Sequence, residues 1–187
     1  MGKKLIAVLF WILVILMITK VVLAFNEAGS SATISPTAKM VKSNDDYDSL
    51  NSKRKAIREI LVKHNSPLLS EVETFLKVCI KYDIDCYLLP SIAGTESTFG
   101  KFMYPESHNP FGWGGGYIMF DSYADCIETV GKYLRLSYYN RGADNIEKIA
   151  PIYAESPTWA SKVTYFHNQL TKIESQKPLY FEDLGVK

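Results

Sequence analysis

Cysteine and histidine are scarce in this sequence, with three of each among 187 residues. The cysteines, Cys79, Cys86 and Cys126, lack the repeated close pairs of a zinc site and are too few for a disulfide scaffold. The histidines are also too scattered to form a zinc site: His64, His108 and His167. We therefore predict no metal and no cofactor. The cysteines are expected to be small buried apolar residues, with one disulfide as the alternative if the chain is exported.

The sequence also lacks an excess of charge of either sign. Its net charge is +1, and from Asp46 onward it contains 16 basic and 18 acidic residues. Because proteins that bind nucleic acid usually carry a basic surface, this composition argues against nucleic acid as a partner. No internal repeat is visible. The length favours one ordinary domain with a hydrophobic core, and we expect a monomer.

The longest apolar run lies at the N-terminus. Two lysines precede LIAVLFWILVILMIT, and VVLAF follows Lys20. At ~1.5 Å per residue, a helix over residues 5–25 would reach roughly the 30 Å thickness of the bilayer core. Residues 1–25 are therefore predicted to be a single-pass membrane anchor or, alternatively, a cleaved signal peptide. In both cases the first lysines stay in the cytoplasm and the rest of the chain is exported, either tethered to the membrane or secreted.

The remaining sequence divides into three parts. Residues 26–45 are rich in Ser, Ala, Thr and Asn and are predicted to be a flexible linker. In residues 46–175 the apolar side chains recur with the period of a helix, which predicts a mainly α-helical domain. The glycines between NPFGW and YIMF suggest one small β-hairpin. Residues 176–187 are expected to be a C-terminal tail.

One acidic residue is unusual in this pattern. The stretch CYLLPSIAGTES is apolar almost all round, which is typical of a core helix, and Glu96 lies near its end. A carboxylate in such a place loses solvation, so its pKa should rise and the group should be either paired or functional. The structural alternative is a carboxylate that caps a turn or pairs with an Arg or Lys.

Four segments then occur in the order and approximate spacing of the bacterial glucosaminidase family: LLPSIAGTESTFG, NPFGWGGG, FDSYADCIETVGKYL and YAESPTWASKV. Over about residues 66–172 the chain resembles that family, whose corresponding segments look like ALESGWG, NLFG, YDS and YATDPNYA. The resemblance implies a lysozyme-like fold and cleavage of the β-1,4 glycan of peptidoglycan at N-acetylglucosamine. Glycan strands of peptidoglycan are then the expected partner, with the membrane reached through the N-terminal helix.

The resemblance places Glu96 at the position of the catalytic glutamate. Such a residue protonates the leaving glycosidic oxygen and must hold its proton near neutral pH. Hydrolysis often uses a second carboxylate, for which Glu106 and Asp121 are the candidates. Asp121 fits the start of a helix equally well, and assistance by the 2-acetamido group of the substrate would need neither residue.

The other matched positions are predicted to bind substrate: Asn109, Phe111, Gly112, Trp113, Tyr153 and Trp159. The first three would shape the floor of a groove, and Trp113 would offer an apolar face to a sugar ring. Tyr153 could hydrogen-bond an acetamido group or the developing positive ring. Packing is the alternative role for the aromatic residues, and for Trp159 packing is favoured.

The sequence departs from the family in two ways. Phe120 stands where the family usually has tyrosine, and the region between Glu96 and the predicted hairpin is short, which implies a shallow cleft. Two other functions therefore stay open: a lytic transglycosylase on the same fold, and a glycan-binding module without turnover. A block like the GLMQ of transglycosylases is missing from the sequence, which favours the hydrolase.

Overall fold

The computed structural model describes residues 44–176, which all belong to the compact unit Val41–Lys187. Six α-helices form most of this described part: α1 (Asn44–Lys63), α2 (Val72–Tyr82), α3 (Leu88–Ser97), α4 (Tyr123–Tyr133), α5 (Ile146–Tyr153) and α6 (Trp159–Ser175). Short helical turns lie between them: Pro67–Glu71, Trp113–Gly116, Leu134–Tyr138 and Tyr139–Arg141. The predicted mainly helical domain is confirmed for this part of the chain.

The two ends of the sequence lie beyond the described residues. The predicted anchor, most of the predicted linker and most of the predicted tail are among them, so these three predictions stay predictions. Between residues 44 and 176, no helix combines the length and the apolar character that a membrane span requires.

Polar side chains set several of the helix starts that the sequence suggested. Ser122 Oγ accepts a hydrogen bond from the backbone N–H of Asp125 at 3.1 Å, which caps α4. Asn145 caps α5 in the same way by accepting from the backbone N–H of Lys148 at 3.0 Å. Ser66 caps the short turn Pro67–Glu71 that precedes α2 by accepting from the backbone N–H of Leu68 at 3.0 Å.

Helix α3 lies in the interior and packs against α6, which also packs against α1. Gly94 makes the contact with α6 possible, because a Cβ there would lie 2.8 Å from Phe99 Cζ and 3.0 Å from the Phe166 ring. Such distances exclude a side chain unless the neighbours move. The close approach brings the last turn of α3 next to the first turn of α6, where the candidate site lies.

A left-handed turn ends α3 abruptly. Thr98, Phe99 and Gly100 have φ values of 52°, 58° and 82°, and the backbone N–H of Phe99 donates to Ala93 O at 2.9 Å. The left-handed region costs a non-glycine residue roughly 1–2 kcal/mol, so burial of Phe99 in the core must offset this strain. The turn leaves Glu96 in the last turn of the helix.

Two of the three cysteines form a disulfide. Cys79 of α2 is bonded to Cys86, which precedes α3, while Cys126 is a buried free thiol. The expectation of three unpaired apolar cysteines is therefore correct only for Cys126. The bond joins the end of α2 to the start of α3 and limits how these two helices can separate.

The segment predicted to be a β-hairpin differs in the structure. Within residues 44–176 no strand is formed, and Gly114, Gly115 and Gly116 continue a short turn with φ values of 61°, 76° and 86°. The chain still doubles back, because the backbone N–H of Phe120 donates to Ser107 O at 2.9 Å. The two arms are otherwise bridged by a side chain, that of Asn109, so a regular ladder of backbone hydrogen bonds is replaced by a loop.

Candidate functional site

A cleft of about 280 Å³ opens at the C-terminal end of α3. Among the described residues that line this cleft, Glu96 is the one acidic residue. The other walls come from the loop after α3 and from the glycine turn, and they contain Ser97, Phe102, Met103, Tyr104, Asn109, Gly112, Gly115, Gly116 and Tyr117. The cleft is small and open, as expected from the short segment between Glu96 and the glycine turn.

Glu96 is more exposed than the sequence predicted. All other residues of α3 are buried except Thr95, which is partly exposed, whereas the Glu96 side chain faces the solvent in the cleft. The expectation of a carboxylate sheltered inside a core helix is therefore wrong in degree, because the abrupt end of α3 turns this position towards the surface. Among the described residues no ion pair fixes Glu96, so the alternative of a structural Arg or Lys partner is not what the structure contains.

The surroundings of Glu96 nevertheless raise its pKa above the ordinary value. Partial removal from water is the main cause, while the hydrogen bond from Trp159 and the charge of Lys162 act in the opposite direction. The net effect enlarges the fraction of Glu96 that is protonated near neutral pH. A general acid needs this property.

Trp159 orients the carboxyl group of Glu96. Its indole Nε1–H donates to Glu96 Oε1 at 2.6 Å, and its side chain is only 3% exposed. Because the indole N–H can only donate, Oε1 must act as acceptor in both protonation states. Because the carbonyl oxygen is the better acceptor of a neutral carboxyl group, this contact favours Oε1 as the carbonyl oxygen and Oε2 as the site of the proton. Trp159 is therefore buried, as the favoured packing role predicts, and it also contacts the Glu96 carboxyl group, which the sequence did not predict.

Gly112 leaves space in front of Oε2. Its φ of 62° lies in the left-handed region, and a Cβ at this position would lie 3.4 Å from Glu96 Oε2. A side chain would therefore be strained and would also occupy the space beside the oxygen that carries the proton. The predicted role of Gly112 in shaping the groove agrees with this geometry.

Asn109 and Phe111 shape the site from inside. Asn109 is buried, and its side chain accepts from Trp113 N at 2.9 Å and donates to Trp113 O at 2.9 Å and to Ile118 O at 3.3 Å. Phe111 is fully buried in the core. Both positions therefore hold the loop that forms the cleft, and neither side chain is free to bind a ligand.

Tyr153 and Trp113 have packing roles in the described structure. The Tyr153 hydroxyl donates to Phe111 O at 3.0 Å, so only its acceptor lone pairs remain for the predicted contact with an acetamido group, which stays a prediction. Its ring stacks on Trp159, with ring centroids 4.9 Å apart. Trp113 meets the Tyr133 ring edge-on at 4.8 Å and is not part of the cleft lining, so packing describes it better than a sugar contact.

The two candidates for a second carboxylate lie on the surface. Glu106 is exposed in the loop after α3, and Asp121 is exposed just before the cap of α4. Neither is part of the lining of the cleft that contains Glu96. The described geometry thus supplies an acid and no carboxylate base beside it.

Three exposed aromatic residues of the cleft were missed by the sequence reasoning: Phe102, Tyr104 and Tyr117. Their signal in the sequence is weak, because an aromatic residue in a loop is as compatible with a core position as with an exposed one. Two aromatics within FMY and one directly after GGG, in a region without a helical period, are the pattern that could have pointed to them.

Within residues 44–176, no group of His, Cys, Asp and Glu residues is arranged to hold a metal ion. When the chain is compared with known proteins, it matches no family model and no curated protein sequence.

Proposed function

We propose that this protein cleaves β-1,4 bonds at N-acetylglucosamine in peptidoglycan, using Glu96 as the general acid on a lysozyme-like helical domain. The observation that carries the proposal is the state of Glu96: the one acidic residue in the described cleft lining has a raised pKa and one oxygen held by Trp159. The four sequence segments that resemble the glucosaminidase family support the same assignment.

The proposed reaction begins with Glu96 neutral and its proton on Oε2. Oε2 transfers this proton to the glycosidic oxygen while the bond from that oxygen to the sugar C1 breaks, leaving positive charge on the ring. Glu96 becomes a carboxylate, which the Trp159 N–H and the charge of Lys162 stabilise. Gly112 leaves room for the leaving group beside Oε2.

The second step needs a nucleophile that attacks C1 of the sugar ring. Because Glu106 and Asp121 lie outside the cleft lining, the 2-acetamido oxygen of the substrate is the nucleophile that best fits the site. It forms a bond to C1, and water then opens this ring intermediate to complete hydrolysis. Glu96, now a carboxylate, takes a proton from that water.

A lytic transglycosylase is the second candidate, and the same lack of a nearby carboxylate base favours it. In that reaction a hydroxyl of the substrate itself attacks C1, and the product is an anhydro sugar. The two reactions differ by one water in the mass of the released glycan. Mass spectrometry of the digest therefore distinguishes them.

The place of action is proposed from the N-terminal segment and the disulfide. A single-pass anchor or a signal peptide would export the helical domain, and the bond between Cys79 and Cys86 suits an oxidising compartment outside the cytoplasm. N-terminal sequencing of the mature protein tests whether residues 1–25 are removed.

The decisive experiment is digestion of purified peptidoglycan by the full-length protein in detergent. Wild type should release soluble glycans and Glu96→Gln should not, whereas the surface variant Glu59→Gln on α1 is the matched control and should behave like wild type. Glu106→Gln and Asp121→Asn should retain activity if the substrate assists its own cleavage. Equal digestion by wild type and Glu96→Gln would refute the role of Glu96, and glycan binding without digestion by either protein would leave only the glycan-binding module.

A further inference from the structure

Three exposed aromatic side chains line the Glu96 cleft. Phe102 and Tyr117 are each 73% exposed and Tyr104 is 53% exposed, and all three are part of the cleft lining. We name these three residues the aromatic platform. Large apolar side chains grouped at the surface commonly mark a binding site, because exposing them to water has a free-energy cost.

Buried polar groups hold the loop that carries Phe102 and Tyr104 in place. Ser97 Oγ donates to Pro110 O at 2.7 Å and accepts from Gly100 N at 2.8 Å, and Ser97 O accepts from Phe102 N at 2.9 Å. Tyr104 O accepts from Ser107 N at 3.1 Å. The loop that carries Phe102 and Tyr104 is therefore tied directly to the residue that follows Glu96.

The backbone beside Tyr117, the third platform residue, is held by the residues that close the glycine turn. Ser107 O accepts from Phe120 N at 2.9 Å, and Asn109 Nδ2 donates to Ile118 O at 3.3 Å, which fixes the backbone on the C-terminal side of Tyr117. The Tyr104 and Tyr117 rings meet edge-on with centroids 5.6 Å apart. The platform is thus preformed, which lowers the entropic cost of binding a ligand on it.

We propose that the aromatic platform is a subsite that binds the ring faces of N-acetylglucosamine-containing glycan next to the scissile bond. This inference rests on the proposed function, since it extends the substrate from Glu96 along the same cleft. The C–H faces of a pyranose ring are apolar, and aromatic rings contact such faces over a large area.

The chemistry of the lining also selects which part of peptidoglycan the platform contacts. None of the three platform residues is charged, and Glu96 is the one charged side chain in the described lining. A stem peptide, with its carboxylates and amines, would find no ionic partner on the platform. The platform therefore contacts the sugar strand, and binding there does not require the peptide.

The test measures binding in the Glu96→Gln background of the full-length protein in detergent, so that the ligand is not cleaved. The probe is a tetramer of β-1,4-linked N-acetylglucosamine, followed by calorimetry or by tryptophan fluorescence. Phe102→Ala combined with Tyr117→Ala should weaken binding by roughly tenfold or more, the equivalent of about 1.4 kcal/mol. Tyr117→Phe keeps the ring and should bind like the parent.

The control is Tyr47→Ala, which removes an exposed aromatic ring from α1 and should leave affinity unchanged. Melting temperatures of all variants should agree, because the removed side chains are exposed. An unchanged affinity in the double variant, or no saturable binding by the Glu96→Gln parent, would overturn the platform. A loss of affinity confined to fragments that carry stem peptides would overturn the assignment to sugar.

The outcomes also separate this inference from the proposed function. Digestion that persists in Glu96→Gln would refute the role of Glu96 in cleavage while leaving the binding result intact. Digestion that depends on Glu96, together with unchanged binding in the double variant, would refute only the platform.

Discussion

The two ends of α3 each carry a carboxyl group, and their pKa values are shifted in opposite directions. Burial acts to raise the pKa of both Asp85, just before the helix, and Glu96, in its last turn. Asp85 Oδ2 also meets His167 Nε2 at 2.9 Å, and Asp85 Oδ1 accepts from Tyr87 N at 2.7 Å. These contacts outweigh burial and lower the Asp85 pKa, whereas that of Glu96 remains raised.

The difference shows that the partner, more than the degree of burial, decides what a carboxyl group can do. The His167 ring and a backbone donor stabilise the ionised form of Asp85, so this residue is a structural anion at neutral pH. Glu96 has one neutral donor, Trp159, and no ion pair within the described residues. Opposite shifts in two carboxyl groups of one helix are a pattern that separates an acid from a structural anion.

Removing each carboxyl group in turn should give the largest contrast. Glu96→Gln removes the proton donor, and we expect the rate of glycan cleavage to fall by roughly 10²- to 10⁴-fold. Asp85→Asn should leave the rate close to wild type, because Asp85 is absent from the cleft lining. The rates are measured from the soluble glycans released by each full-length variant. Similar losses in both variants would contradict the division of roles.

Alanine substitutions at two glycines with positive φ should distinguish the effect of backbone strain from that of obstructing the Glu96 carboxyl group. Gly112 and Gly142 have φ values of 62° and 89°, so alanine at either position should cost roughly 1–2 kcal/mol of stability. Only at Gly112 would the new methyl group lie 3.4 Å from Glu96 Oε2, since Gly142 has open space around it. We expect Gly112→Ala to lose on the order of 10²-fold in cleavage rate and Gly142→Ala to keep it.

Thermal melts and cleavage rates of the two glycine variants provide the check. Equal destabilisation with unequal rates is the expected pattern. If the two variants retained the same rate, the space in front of Oε2 would have no role in the reaction.

Trp159→Phe should widen the difference between the pKa values of Glu96 and Asp85. The lost N–H stabilises the ionised form of Glu96, so its removal should raise the Glu96 pKa. Because Glu96 acts in its protonated form in the proposed reaction, the alkaline limb of the kcat/KM profile should move to higher pH. The maximal rate should fall, since the carboxylate formed during cleavage loses its donor. An alkaline limb that stays in place would show that Trp159 is only a packing residue.

The sequence predicted the helices better than the contacts around Glu96. Helical periodicity is local, and Ser122 shows its capping role within three residues. The hydrogen bond from Trp159 to Glu96 joins residues 63 positions apart. Trp159 was assigned to packing because no local pattern reveals which acceptor an indole N–H will meet after folding.

The loops were predicted least well, for a similar reason. Three successive glycines fit the turn of a hairpin, but whether strands form beside them depends on the bridging side chain of Asn109. The spacing of Cys79 and Cys86 likewise could not decide between free thiols and a disulfide. That choice depends on how closely the end of α2 approaches the start of α3, where the two Cα atoms lie 4.9 Å apart.

The smallest expected effect concerns stability and belongs to the Asp85 end of α3. The hydrogen bond that His167 donates to Asp85 raises the His167 pKa above its ordinary value of 6.5, and the charges of Glu147 and Glu174 act in the same direction. A raised pKa means that the folded state binds the proton more tightly than the unfolded state does. This contribution is therefore complete below about pH 6.5 and is lost as the pH rises through the folded-state pKa.

Asp85 sets the acidic limit of the pH range in which its pair with His167 stabilises the folded state. Its pKa is lowered from the ordinary value of 3.8, so its contribution is present above that pH and is lost as the pH falls through the folded-state value. Because half of the Asp85 side chain is exposed, we expect the pair to contribute no more than about 1 kcal/mol.

Wild type should melt at a higher temperature at pH 6 than at pH 8. Asp85→Asn keeps an acceptor for Tyr87 N and should lose the part of this difference that the ion pair supplies, whereas the surface variant Glu59→Gln should keep the wild-type difference. An unchanged difference in Asp85→Asn would show that the ion pair does not set the pH dependence, and that the contrast between the two ends of α3 concerns catalysis alone.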